Sequence, residues 1–261
     1  MKVCKAGKTA GNVHSVETFG ANEGPGIRFI VFLQGCLSRC VYCQNPDTWK
    51  EGAGKTMWAE EIIKRLDKCL PYIKSSHGGI TVSGGEPLLQ MDFLRELFRL
   101  CKDRKVHTAI DTSAFYRESD ESKLAALLDL TDLFIVDIKA AGKELHKRMT
   151  SKNLEQVTGF IKLLEDNKKP YWIRYVLVPG LNDSQQDLNE LSSLVRTFRY
   201  CRKLEFLPYH TLGKHKWKNL GLKYPLEGKK AATVGDIKKA QQGLGPIKRG
   251  DGSQREPSPL F

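Results

Sequence analysis

Three cysteines within eight residues are the strongest chemical signal in this sequence. Cys36, Cys40 and Cys43 form the pattern C-x3-C-x2-C directly after an apolar run. Three thiolates in one loop could ligate three irons of a [4Fe-4S] cluster, which ordinarily takes four cysteines. Because no fourth cysteine lies nearby in the sequence, one iron would stay open to a ligand that the protein does not supply. An open iron is a catalytic feature.

A structural zinc site is the alternative interpretation of the same three cysteines. It would be completed by a histidine such as His14 or by a distant cysteine. Structural zinc usually takes ligands in two separated pairs, so the triplet spacing favours the cluster. Cys69 and Cys101 lie in helical patterns among apolar residues and are predicted to be core residues. Seven cysteines this unevenly spaced do not indicate a secreted disulfide scaffold.

Six short apolar, β-branched runs alternate with amphipathic stretches and must position these cysteines. Strands joined in this way are expected to form a parallel sheet covered by helices. Six units are two fewer than a closed eightfold barrel contains, so the sequence predicts an α/β fold of the incomplete (β/α)6 barrel type. The predicted strands are 27–35, 79–83, 107–112, 133–139, 171–179 and 203–209, and the predicted helices are 59–72, 92–102, 119–130, 154–167, 184–199 and 233–242.

Charge and hydropathy exclude several functional classes. The 261 residues include 42 Lys plus Arg and 30 Asp plus Glu, a formal net charge of +12, of which 11 − 4 = +7 lies in residues 214–261. A lysine-rich, weakly apolar tail is usually solvated, so nucleic-acid binding is not expected. No run approaches about 18 apolar residues, and the first residues lack a secretory signal pattern, which predicts a cytoplasmic protein without a membrane partner.

The composition also suggests how the chain is divided. We expect a core domain over residues 1–228 and a C-terminal extension over 229–261 that is partly disordered, rich in Gly, Pro and charge at its end. A monomer is expected.

Polar residues gather at the predicted C-terminal ends of the strands. Parallel α/β proteins build their sites at that edge of the sheet. Two adjacent glycines would let the backbone approach a ligand closely, although a tight turn alone would also explain them. The residues at this edge are Cys36, Gly84, Gly85, Glu86, Asp111, Thr112, Asp137, Lys139, Arg174 and His210.

Two features of this edge admit a second interpretation. Asp111, Thr112 and Asp137 supply hard oxygen atoms that suit a monovalent or divalent cation. A buried ion pair between Asp137 and Lys139 is an equally good explanation. Arg174 is costly to bury alone, so it should meet a carboxylate in the site or form a structural salt bridge.

The cysteine run has an aromatic residue, Tyr42, directly before its last cysteine, and Gly84-Gly85-Glu86-Pro87 follows the second strand. Together they resemble the hallmark motifs of the radical S-adenosylmethionine superfamily, in which the GGE motif holds the amino group of the cofactor. Blocks between Val13 and Trp217 resemble the glycyl-radical activating enzymes in order: ETFGANEGPGIRFIVFLQGC, CQNPDTW, DTSAF, VDIK, WIRYVLVPG and LPYHTLGKHKW.

The residues between the cysteine run and the GGE motif indicate which type of activating enzyme this chain resembles. Other activating enzymes commonly insert a second, ferredoxin-like cysteine cluster there, whereas residues 44–83 of this chain contain only Cys69. This resembles the insert-free type, whose protein substrate is pyruvate formate-lyase.

The resemblance implies a complete activity. One [4Fe-4S] cluster would reduce S-adenosylmethionine to methionine and a 5′-deoxyadenosyl radical, which abstracts hydrogen from a glycine of pyruvate formate-lyase during anaerobic glucose metabolism. Flavodoxin or ferredoxin would donate the electron, and a monovalent cation would lie near the cofactor. By resemblance, the cofactor contacts are Tyr42, Cys43, Gln44, Gly84, Gly85, Glu86, Lys139, Ala141, Gly142, Lys143, Arg174 and His210.

Three residues depart from the family pattern, and other functions would also fit parts of the sequence. Glu23, Gln44 and Lys143 replace the Asp, His and acidic residue that the family often has. The alternatives are activation of another glycyl-radical enzyme, a radical enzyme acting on a small molecule or on a ribonucleotide reductase, and a non-enzymatic metal or nucleic-acid module.

Overall fold

Strands and helices alternate through residues 9–244, the part of the chain that this computed structural model describes, apart from the side chain at position 118. The strands are β1 (Ala10–Gly20), β2 (Arg28–Leu33), β3 (Lys55–Trp58), β4 (Gly79–Gly84), β5 (His107–Thr112), β6 (Leu133–Asp137), β7 (Tyr171–Leu177) and β8 (Cys201–Pro208). The helices are α1 (Ala59–Asp67), α2 (Leu70–Ser75), α3 (Met91–Asp103), α4 (Glu121–Leu130), α5 (Lys143–Thr150), α6 (Leu154–Asp166), α7 (Gln185–Arg196), α8 (Lys214–Asn219) and α9 (Val234–Leu244).

The chain divides into two compact units. Unit 1 comprises Met1–Leu37 and Thr48–Ile135, and unit 2 comprises Ser38–Asp47 and Val136–Phe261. The boundary falls inside the cysteine run, so Cys36 belongs to unit 1 and the other two cysteines to unit 2.

Unit 1 contains a mixed sheet in the order β3-β1-β2-β4-β5. β2, β4 and β5 run parallel, and the pairing of Leu33 with Gly84 brings the C-terminal ends of β2 and β4 to the same edge. The interior of β2 is buried, as expected of a continuous apolar run in a parallel sheet. β1 pairs antiparallel with both β2 and β3.

Unit 2 contains the parallel pair of β7 and β8, whose register aligns Arg174 with Glu205. Tyr171 and Tyr175 are completely buried. The last described helix, α9, packs on α7, where the Ser192 hydroxyl donates to the Leu244 carbonyl oxygen over 3.1 Å.

The predicted α/β fold class with mainly parallel strands is confirmed. All six predicted strands are present, with each end within two residues of its predicted position. β1, β3, α5 and α8 were not predicted. The predicted helix 59–72 is two helices, because Pro71 suits the first turn of a helix, as in α2, and not a helix interior. The separate core and extension remain a prediction, and the expected disorder of the last residues lies outside residues 9–244. None of the helices described is long and apolar enough to cross a membrane.

Candidate functional site

Cys36 lies in unit 1, just beyond the C-terminal end of β2. Gly35 before it has a φ of +102°, which glycine adopts without strain. The backbone on both sides is fixed, because the Gly35 N–H donates to the Thr48 carbonyl over 2.7 Å and the Cys36 N–H donates to that of Trp49 over 3.2 Å. The first cysteine is therefore held on an anchored turn.

The Gly84-Gly85 turn at the end of β4 closes against this cysteine. Gly84 has a φ of +111°. A Cβ atom added at Gly85 would lie 2.1 Å from the Gly35 carbonyl oxygen and 3.3 Å from the Cys36 Cβ. The Glu86 N–H also donates to the Gly35 carbonyl over 2.8 Å. The fold thus brings two motifs together that are about fifty residues apart in sequence, at the edge that the sequence predicted.

The Glu86 carboxylate has hydrogen-bond donors within the protein. Its side chain is completely buried and accepts hydrogen bonds from the Thr112 hydroxyl and from the backbone N–H groups of Leu88, Ser113 and Phe115. These contacts join the end of β4 to the end of β5. In unit 1 the Glu86 side chain therefore braces the turn, and its contact with the amino group of the cofactor remains a prediction.

The burial of the Glu86 carboxyl predicts that the stability of the fold depends on pH. Burial, opposed by the four donors, raises the pKa of Glu86 from 4.5 to about 7. Between these two values the folded chain holds a proton that the unfolded chain releases, so the free energy of unfolding decreases as pH rises through this window. Between pH 5.5 and pH 7.5 we expect the deprotonation of Glu86 to lower the free energy of unfolding by about 2 kcal/mol.

Denaturant unfolding at the two pH values measures this effect. Glu86→Gln should be less stable overall but should lack this part of the pH dependence, whereas Glu144→Gln at an exposed position on α5 should retain it. An unchanged pH dependence in Glu86→Gln would contradict the assignment.

Asp111 and Thr112 have protein partners. Asp111 accepts from the Ser83 hydroxyl over 2.9 Å, and the Thr112 hydroxyl is bonded to Glu86. Over residues 9–244, no group of three or more His, Cys, Asp or Glu side chains is placed so that it could hold a metal ion. The cation remains a prediction.

The other two cysteines lie on the Ser38–Asp47 loop of unit 2. The backbone N–H groups of Arg39 and Val41 donate to the carbonyls of Thr150 and Met149 at the end of α5, each over 2.9 Å. The Cys43 N–H donates to the Cys40 carbonyl over 3.1 Å. A loop that carries two thiols is therefore ordered by the protein's own backbone.

Tyr42, Lys139 and Asp137 form a buried group beside this loop. The Lys139 ammonium lies 2.6 Å from the Asp137 carboxylate and 5.9 Å from the centre of the Tyr42 ring. Burial opposes the charge of Lys139, but Asp137, Tyr42 and Cys40 together more than compensate, so the pKa of the ammonium lies well above its ordinary value. Burial also raises the pKa of Tyr42. The ion pair is the second of the two interpretations that the sequence allowed for Asp137.

Gln44 joins the loop to the segment that follows β8. Its side chain donates to the His210 carbonyl over 2.9 Å and accepts from the Gly213 N–H over 2.7 Å. The His210 imidazole is exposed, and partial burial lowers its pKa. Both ends of the Gln44 amide thus hold backbone groups, and the contact with the adenine of the cofactor that the resemblance implies remains a prediction.

Trp217 was predicted to be a packing residue, and it also makes a polar contact. It is buried against the Tyr224 ring at 5.4 Å between centroids, and its indole N–H donates to the Cys43 carbonyl over 2.9 Å. In the sequence, only the resemblance of the LGKHKW block pointed to this region, and nothing in that block indicated a hydrogen bond from Trp217 to Cys43.

The other residues of unit 2 that were predicted to contact the cofactor lie in the following surroundings. Arg174 forms a buried salt bridge with Glu205 at 3.0 Å, which is the structural alternative for this residue. Lys143 is exposed and pairs with Glu155 at 2.7 Å. Gly142 precedes α5, and Ala141 before it is partly exposed. Their contacts with a cofactor remain predictions.

Comparisons with known proteins agree with these motifs. A family model described as the radical SAM superfamily matches residues 30–191. The pyruvate formate-lyase-activating enzyme of Listeria monocytogenes is 48% identical over 221 residues, 84% of this chain and 89% of that protein. The enzyme of the same name from Staphylococcus aureus is 44% identical over 239 residues, 88% of this chain and 93% of its own.

Solved structures share the fold. Streptococcus suis SuiB bound to precursor peptide SuiA has a TM-score of 0.62 at 14% identity, covering 84% of this chain and 45% of that one. A domain of pyruvate-formate lyase-activating enzyme from Bacteroides vulgatus has a TM-score of 0.52 at 22% identity, covering 64% of this chain and 92% of that one. At these identities the similarity concerns the fold alone.

Proposed function

Because the chain belongs to the radical SAM superfamily and, within it, to the pyruvate formate-lyase-activating enzymes, we propose that it generates a glycyl radical on pyruvate formate-lyase. The observation that carries the proposal is the Gly84-Gly85 turn packed on Cys36. It joins a backbone able to approach a cofactor to a thiol able to ligate iron.

The residues present fit the cofactors of this reaction. Cys36, Cys40 and Cys43 would ligate a [4Fe-4S] cluster, and none of the three is in a disulfide. The turn offers S-adenosylmethionine a surface without side chains. When bound, the cluster and S-adenosylmethionine supply an electron and a 5′-deoxyadenosyl radical, which takes a hydrogen atom from the substrate glycine.

The chain's own residues position these groups. In unit 1, Glu86 holds the glycine turn in place by accepting hydrogen bonds from the Thr112 hydroxyl and the Ser113 N–H. In unit 2, the buried Lys139 carries a positive charge that suits the carboxylate of S-adenosylmethionine, with Asp137 limiting the cost of that charge. Tyr42, which directly precedes the last cysteine, contributes a buried aromatic ring.

The wider context is proposed from the family. The proposed protein substrate is pyruvate formate-lyase, the proposed electron donor is flavodoxin or ferredoxin, and the proposed setting is anaerobic glucose metabolism in the cytoplasm. The predicted cation site at Asp111, Thr112 and Asp137 and the adenosine contacts of Gln44, Lys143, Arg174 and His210 belong to the same proposal. Of these residues, Arg174 is the least suited to touch the cofactor, because its side chain already forms a buried salt bridge with Glu205.

One anaerobic experiment tests the proposal. The protein is reconstituted with iron and sulfide, reduced with dithionite, and mixed with S-adenosylmethionine and pyruvate formate-lyase, after which electron paramagnetic resonance and 5′-deoxyadenosine are measured. We expect a protein glycyl radical and 5′-deoxyadenosine. Formation of 5′-deoxyadenosine without the glycyl radical would leave the cofactor chemistry intact but overturn the partner, and zinc in place of iron would overturn the cluster.

A further inference from the structure

The α8 surface is unusually apolar for an exposed segment. This surface is defined by five of the solvent-exposed residues of α8 and its two flanks: Leu212, Lys218, Leu220, Leu222 and Lys223. Its three leucines are 77%, 47% and 41% exposed, and they account for three of the seven large hydrophobic residues exposed in the described part of the chain. Exposed apolar side chains grouped near charged ones are typical of protein interaction sites.

The charges around these leucines have one sign. Residues 210–230 contain six lysines and one acidic residue, Glu227. Lys214 pairs with Glu227, and Lys216 contacts Asn45 and Asp47. Lys218 and Lys223 are exposed and lie within two residues of Leu220 or Leu222 in the sequence, and we call these two lysines the basic rim. A basic rim of this kind attracts an acidic partner and raises its rate of encounter.

The α8 surface is attached directly to the cysteine loop. Trp217 of α8 donates to the Cys43 carbonyl over 2.9 Å, and Gly213 before α8 donates to the Gln44 side chain over 2.7 Å. A protein seated on this surface would be separated from a proposed cluster ligand by one indole ring and one hydrogen bond. The contact is on the backbone side of Cys43, which suits delivery of an electron rather than entry of a substrate glycine.

We propose that the α8 surface docks the electron donor, a small acidic redox protein. This inference rests on the proposed function, because it assumes a cluster at Cys36, Cys40 and Cys43. In the step it serves, the donor's reduced flavin or iron-sulfur group loses one electron and the oxidised cluster gains it; no bond forms and no proton is transferred between the two proteins.

Two observations favour this occupant over others. A second copy of the chain carries the same formal charge of +12 and would present like charges to the surface. Redox encounters form at the small end of the interface range, where a few apolar residues and a charged rim are sufficient. A glycyl-radical enzyme must instead deliver its glycine to the cofactor.

The test compares two sources of electrons in the holoenzyme. The variants are Leu212→Ser and Lys218→Glu/Lys223→Glu. The control is Val234→Ser/Lys238→Glu on α9, which replaces one apolar residue and one lysine at exposed positions. Cluster reduction and 5′-deoxyadenosine are followed with reduced flavodoxin and, separately, with dithionite. We expect the flavodoxin-driven rate to fall about tenfold in the charge variant and more at low salt than at high salt. Dithionite-driven rates should match the unmodified chain.

Each other outcome has a definite meaning. Equal flavodoxin-driven rates in the variants and the unmodified chain would overturn the docking proposal. A loss of glycyl radical with both reductants, at unchanged 5′-deoxyadenosine formation, would assign the surface to the glycyl-radical partner and overturn it as well. Concentration-dependent sedimentation abolished by Leu212→Ser would assign it to a second copy. Absence of 5′-deoxyadenosine from the unmodified chain with dithionite would refute the proposed function itself.

Discussion

Replacing Cys36, Cys40 or Cys43 by serine is expected to abolish 5′-deoxyadenosine formation, with a loss of at least about a thousandfold. Each residue would supply one of three thiolates, and a hydroxyl is a poor iron ligand that leaves the cluster incompletely held. We expect the reconstituted variants to lose their iron and sulfide and the visible absorption of the cluster. Anaerobic iron analysis and quantification of 5′-deoxyadenosine measure the effect.

Cys69 provides the matched control for this series. It is buried at the start of α2 and away from the motif in sequence, so Cys69→Ala should retain iron, sulfide and activity. The circular dichroism of all four variants should match that of the unmodified chain. A variant of the triplet that keeps a complete cluster and normal turnover would disprove the assignment of that cysteine.

Gly85→Ala is expected to have the second largest effect. The new methyl carbon would lie 2.1 Å from the Gly35 carbonyl oxygen, so the backbone at the end of β2 or β4 would have to move. Such a shift should cost about 3 kcal/mol or more of folding free energy and displace the turn from Cys36. We expect a lower Tm and a loss of 5′-deoxyadenosine formation greater than the loss of folded protein at the assay temperature.

Gly159 offers a test of whether the effect is local. It lies in α6 with no atom within 4 Å of an added Cβ. Gly159→Ala should therefore stabilise the chain by about 0.5 to 1 kcal/mol, because alanine is the better helix former. If Gly85→Ala leaves both Tm and turnover unchanged, the close packing of the glycine turn on Cys36 is wrong.

The sequence by itself determined the strands and helices of the repeating unit and the edge that carries chemistry. Local signals are sufficient there, since apolar runs such as the one in β2 and amphipathic periodicity such as that of α3 are encoded within a few residues. The cysteine triplet and the GGE motif are equally local. Their types and spacing predicted the family that the comparisons confirm.

The two antiparallel strands required the tertiary structure. The second half of β1 is partly or fully exposed and has no clear alternation of apolar and polar residues, and β3 is four residues long. Neither has the buried apolar pattern that identified the parallel strands. They form because β2 offers β1 an unpaired edge, a condition that no sequence window contains.

The direction of polar side chains was also decided by the tertiary structure. Glu86 turns inward because four donors from the ends of β4 and β5 meet there, and Arg174 finds Glu205 on the neighbouring strand. Gln44 reaches Gly213 across 169 residues of sequence. A buried polar group takes whichever partner the fold brings to it, because leaving it unpaired costs more than any local preference can offset.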